Sequence, residues 1–177
     1  MKKLFILVGL LLAFQAHAQK FFRFVPAADG QVAYPEDRMP SDYRLMKVDK
    51  QALINLLTAS PDQFSGRRSD ILLTVPLPDN DKVTFRMYRT HPMSAEREAE
   101  FPGMLSFRGV EVKGARRMRM EINSLGVFLK TYGGRKGGAV LQPYDNAGTY
   151  IYYFMADQPG LEHHCDVTES IEYDLPG

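Results

Sequence analysis

The chain has 177 residues, 45% of them hydrophobic, 11% aromatic and 24% charged. That is an ordinary globular composition; it predicts one domain with tails and a core large enough to need no covalent staples. Lys and Arg number 22 against 21 Asp and Glu, for a net charge of +1, which excludes a strongly basic nucleic-acid module and a highly charged disordered chain. A single cysteine excludes an internal disulfide framework and a four-cysteine zinc site, and the lack of tryptophan excludes a Trp stacking platform.

Residues Met1 to Ala18 have the form of a secretory signal peptide. Lys2 and Lys3 give a positive start, Leu4 to Phe14 is an apolar run, and Ala16-His17-Ala18 supplies the small-x-small cleavage site. The run is shorter than the roughly 20 residues of a membrane span. The expected product begins at Gln19, is secreted or periplasmic, and has no membrane association after cleavage. The leader takes two lysines with it, so the mature chain becomes slightly acidic.

Residues 19–42 carry several prolines and predict a loosely structured N-terminal arm with one early strand around Phe21 to Val25. Asp49 is a good N-cap. Behind it Ala52, Leu53, Leu56 and Leu57 share one face of a helix over Lys50 to Ala59, which Ser60-Pro61 ends. From Asp70 the period becomes two. Ile71 to Val75 and Lys82 to Tyr88 predict a hairpin across the turn residues Pro76 to Asp81. Ser94 heads a short acidic helix that ends before Pro102. Strands are then expected at Arg117 to Ile122, Gly126 to Tyr132, Ala139 to Tyr144 and Thr149 to Met155, with Gly133 to Gly138 as a hairpin turn. The fold class is α+β: a mostly antiparallel sheet with one amphipathic helix and one short helix. The β domain covers residues 43–158, followed by a polar C-terminal tail, 159–177.

Few residues suggest chemistry. The sequence holds no HExxH, GxSxG, GxxxxGK[ST] or EF-hand motif. His91 precedes Pro92 and has no evident partner. His163 and Cys165 share a face if extended, but two ligands do not close a structural zinc site. Cys165 is open to three readings in an exported chain: a free thiol, an intermolecular partner or a metal ligand. Arg117 and Arg119 alternate with Met118 and Met120, as on a solvated sheet face; docking to an acidic partner is the alternative. Arg67-Arg68 lies in a turn, as an exposed loop or a processing site. Asp79, Glu96, Glu98, Glu100 and Glu111 show no paired-carboxylate spacing. No cofactor is expected, and neither is an enzyme active on its own.

Four stretches in order carry a family likeness: Tyr43-Arg44-Leu45 with Asp49 through Leu57 and Ser60-Pro61; Leu77-Pro78-Asp79-Asn80 with Phe85 through Thr90 and Pro92-Met93; Glu100 through Met104 with Phe107 through Val110; and Gly126-Val127-Phe128 with Tyr150 through Phe154 and Asp157. With these the chain resembles the N-terminal pro-region of secreted bacterial reprolysin-like zinc metallopeptidases, over about residues 43–157. The catalytic domain of that family, with its HExxHxxGxxH zinc motif, does not occur in this chain. The resemblance implies a module that masks or helps fold a zinc metallopeptidase catalytic domain, in the same precursor or in trans, with no nucleic-acid partner. It also implies a role for Cys165, because in related eukaryotic enzymes a pro-region cysteine takes the open zinc position. The surrounding His163-His164-Cys165-Asp166-Val167 departs from the usual cysteine-switch motif. Two other readings stand beside this one: a stand-alone extracellular binding or assembly domain using Tyr150, Tyr152 and Tyr153, and a small hydrolase using His91.

Overall fold

Alternation of apolar and polar side chains drives the chain into strands, and most of those strands pair with their sequence neighbours. The computed structural model describes residues 21–26, 39–134 and 136–158. In chain order the elements are β1 (Phe22–Val25), β2 (Arg44–Val48), α1 (Lys50–Leu57), β3 (Leu72–Pro76), β4 (Lys82–Thr90), α2 (Ala95–Glu100), β5 (Leu105–Glu111), β6 (Arg117–Asn123), β7 (Gly126–Tyr132), β8 (Ala139–Pro143) and β9 (Thr149–Phe154). All nine strands form one antiparallel sheet in the order β1-β2-β9-β8-β7-β6-β5-β4-β3. Strands β3 to β9 run as a meander, and β2 joins its far side by pairing with β9. The sheet curls into a half-barrel.

The concave side holds the core. Phe85, Met87, Phe107, Met118, Met120, Ile122, Leu129, Leu141 and Tyr152 line it, each almost wholly buried. Helix α1 closes this interior, setting Leu53 and Leu57 into the same cluster with no exposed surface. Each such leucine is worth roughly 1.5–3 kcal/mol in burial. The helix starts where expected because Asp49 accepts a hydrogen bond from the Ala52 amide at 2.9 Å. Replacing Asp49 with alanine orphans that donor and should cost about 1 kcal/mol. A thermal melt of Asp49→Ala is expected to show a midpoint about 2–4 °C lower.

A second, smaller cluster of Leu45, Tyr144, Ile151 and Tyr153 sits on the convex side, packed with Met39 and Val140. Strand β9 is therefore buried on both faces, along all six of its residues.

The mostly antiparallel α+β architecture is as the sequence predicts, including the early strand, the amphipathic helix, the short helix and the glycine turn between β7 and β8. Strands β2 and β5 are additions to that expectation. In β2, Leu45 faces the convex cluster and Met46 the core, so no polar alternation marks the strand. In β5, the inward positions include Gly109 and Glu111, which break the apolar period. A side chain at Gly109 would meet Met118 and Phe85 at 2.9–3.0 Å, so a larger residue there would push those two core side chains aside. Strand β1 pairs fully with β2, so this part of the N-terminal arm belongs to the sheet. Ser94 heads α2 without a side-chain cap bond to the helix backbone. The signal peptide and the C-terminal tail lie outside the described residues. Among the described residues no helix is long and apolar enough to cross a membrane.

Candidate functional site

The half-barrel is filled with side chains, so the surfaces that can meet a partner are its outside and its edges. Strand register sets the outside. Tyr88 on β4 stands opposite Arg108 on β5, Arg108 opposite Arg119 on β6, and Arg119 opposite Lys130 on β7. Three cations thus sit side by side in one row on the convex face. One step along the strands, Arg86, Val110, Arg117 and Tyr132 form a parallel row. On the other side of the cationic row lie Thr90, Ser106, Glu121 and Phe128.

Like charges directly opposite each other on neighbouring strands destabilise a sheet by a few tenths to about 1 kcal/mol per pair. Glu121 offsets part of this by pairing with Arg119 at 2.7 Å, while Arg86 turns aside to the Ser69 carbonyl. Arg117 donates to backbone carbonyls, those of Ala115 and Arg116, at 3.3 and 3.4 Å. Lys130 lies 5.5 Å from the Tyr132 ring centre. The cationic face is flanked by two depressions. One, of about 440 Å³, runs between the 63–68 loop and the β4–β5 face, with Arg67, Arg68, Tyr88, Arg108 and Val110 on its walls. The other, of about 230 Å³, is lined by Phe128, Tyr132 and Val140 beside Arg119 and Lys130. Arginine and aromatic side chains together are the residues enriched at protein interfaces.

The remaining sequence candidates fall as follows. His91 has two partners that the sequence did not reveal. Its Nδ1 lies 2.8 Å from Glu98 Oε2, and its Nε2 lies 3.3 Å from Asp62 Oδ2. The ring fastens α2 and the 60–66 loop to the end of β4, where Pro61 and Gln63 also bond to the Arg89 backbone. Its two nitrogens point in opposite directions to two different carboxylates, so the trio cannot close on one metal ion. Among the described residues no group of three or more His, Cys, Asp or Glu side chains could hold one. Spacing gave no hint of this trio, since Asp62 reaches His91 only through the bridge between Asp62 and Arg89.

Tyr150 and Tyr152 face the core and Tyr153 the covered convex cluster, so none of the three offers a contact surface. Burial drives the Tyr152 phenol far above the usual tyrosine range, and the negative charge of Asp79 adds to the shift. Arg117 and Arg119 are exposed as predicted, and Arg67-Arg68 lies in an exposed loop. Cys165, His163 and His164 lie outside the described residues. Arg108 and Lys130 are the functional candidates that sequence reasoning missed; only the register of three strands brings them beside Arg119.

Comparison with family models, with curated proteins and with solved structures finds no match to this chain.

Proposed function

We propose that the chain is an exported, pro-domain-like module that binds the catalytic domain of a reprolysin-like zinc metallopeptidase, masking its cleft or assisting its folding, and that it docks through the convex face of β4 to β7. The observation that carries this reading is the row of Arg108, Arg119 and Lys130, in which, among the described residues, only Arg119 has a carboxylate partner, Glu121. Such a row costs the isolated fold stability, and an acidic partner surface would offset that cost. Complementary potential steers encounter and fixes orientation. The order of segments between residues 43 and 157 supplies the partner class. A masking module works only by binding the closed enzyme better than the open one. In the same reading Cys165 has the chemistry to take the open zinc position, because a thiolate is a good zinc ligand and would leave no place for the catalytic water.

The test is a titration of the purified chain into an active HExxHxxGxxH catalytic domain encoded by the same source, followed by peptide hydrolysis. Saturable inhibition that weakens as salt rises is expected. Full hydrolysis at saturating chain, with refolding yield of the catalytic domain also unchanged, would reject the reading and leave a stand-alone binding domain. Cys165→Ser separates the two parts of the proposal: a large loss of inhibition assigns the cysteine to the zinc, and equal inhibition removes it from the mechanism.

A further inference from the structure

The sheet is open, and its two free edges come together. Strands β1 and β3 flank a seam of about 410 Å³ lined by Phe22, Arg23 and Phe24 on one lip and Thr74, Pro76 and Lys82 on the other. Antiparallel pairing fixes which backbone groups face this gap, because alternate residues of an edge strand bond inward and the rest point outward. On the first lip the Asp49 amide bonds to the Phe21 carbonyl at 2.9 Å. Phe21, Arg23 and Val25 therefore bond toward β2, and the N–H and C=O of Phe22 and Phe24 turn to the seam. On the second lip the Met87 amide bonds to Ile71 at 2.9 Å and the Leu77 amide to Asp81 at 2.7 Å. Ile71, Leu73, Val75 and Leu77 thus face β4, and Leu72, Thr74 and Pro76 present their backbone outward. Among the described residues nothing pairs with either outward edge.

Free main-chain acceptors and donors at two-residue spacing on the lips suit an extended polypeptide, which pairs with an edge strand through its own main chain. Charge narrows it further. Arg23 and Lys82 are exposed on opposite lips. At one end Arg44 lies over the Phe24 ring at 4.0 Å and donates to Asn80 Oδ1 at 2.6 Å. This arginine closes the end of the seam with a side chain and leaves the lips unpaired. We propose that the seam binds an extended segment of a partner polypeptide, bearing an acidic side chain, as an added strand between β1 and β3. The four residues of β1 give a lip about 13 Å long, room for about four residues of extended chain. This strand-addition mode takes affinity from the main chain and selectivity from the side chains that alternate along it. It is independent of the convex face and of the peptidase reading.

Amide hydrogen exchange of the purified chain reads the lips directly. Fast exchange at Phe22, Phe24 and Thr74 is expected in the free protein. Protection there without a partner would mean that the chain fills its own seam, and would overturn the proposal. Random ten-residue peptides displayed on phage are then selected against the chain. The expected winners carry Asp or Glu and protect those three amides. Arg23→Glu, which reverses one rim charge, should weaken a winning peptide at least tenfold with the melting temperature unchanged or slightly raised, because Arg23 stands opposite Lys47. Thr74→Pro, which deletes one lip donor at an edge where proline is tolerated, should also weaken it at least tenfold, with a lower melting temperature because the 2.9 Å bond to the Thr84 hydroxyl goes too; if that variant fails to fold, Arg23→Glu decides alone. A selection that yields no peptide, or peptides indifferent to Arg23→Glu, would overturn the assignment.

Discussion

Leu53→Ala is expected to remove about 2–5 kcal/mol of stability, the range for truncating a fully buried leucine. Leu53 has no exposed surface and projects from α1 into the concave core. The helix is only eight residues long, too short to be stable by itself, so its place depends on the apolar face it buries. The truncation removes the methyl groups that fill the space behind the curled sheet, and a sheet held by its own hydrogen bonds cannot collapse far to refill it. Urea unfolding followed by circular dichroism measures the loss. A change below 1 kcal/mol would mean that α1 rests on the sheet without filling it.

Gly138→Ala is expected to cost about 2–6 kcal/mol, from two causes. Gly138 has φ of +129°, a region that side chains avoid at a cost of about 1–3 kcal/mol. A Cβ there would also fall 2.0 Å from the Thr131 carbonyl oxygen. Backbone must move to relieve that overlap, at a further cost of about 1–3 kcal/mol. The site is tightly tied: the Ala139 amide donates to the Thr131 hydroxyl at 2.8 Å and the Met155 amide to the Gly138 carbonyl at 2.9 Å. Gly66→Ala makes the comparison, since that glycine also has positive φ but nothing lies within 4 Å of its Cβ. Thermal melts should show the larger loss for Gly138→Ala, which bears both the overlap with Thr131 and the more restricted φ. Equal losses would show that the close approach to Thr131 carries no weight.

What could be read from the sequence follows from where side chains find neighbours. Strands β4 and β6 have one face in the core and one outside, so Val83, Phe85 and Met87, or Met118, Met120 and Ile122, announce themselves by period two. Helix α1 does the same at the helical period, and its Asp49 cap is as local as its pattern. Strand β2 gave no such sign because both of its faces are covered, and β5 gave none because its inward row admits Gly109 and Glu111. The candidate site was half legible. Arg117 and Arg119 alternate visibly with methionines, but Arg108 and Lys130 become their neighbours only through pairing between strands. His91 depended on Asp62, 29 positions earlier in the numbering, and on a bridge no local pattern encodes. Pairing is a long-range property, so the residues it gathers are the ones a linear reading misses.

Arg108→Glu tests the central claim most directly, because docking and folding make opposite demands on that position. Within the fold, a glutamate would stand opposite Arg119 and replace a repulsive pair with an attractive one, worth a few tenths to about 1 kcal/mol. At an acidic partner surface the same change places like charges together. Calorimetric titration of Arg108→Glu into the metallopeptidase catalytic domain, paired with a thermal melt of the free variant, reads both. Binding at least tenfold weaker with a melting temperature equal to or above that of the unaltered chain is the predicted result. Unchanged affinity, or a melting temperature that falls, would place Arg108 in the service of the fold and take the convex face out of the docking surface.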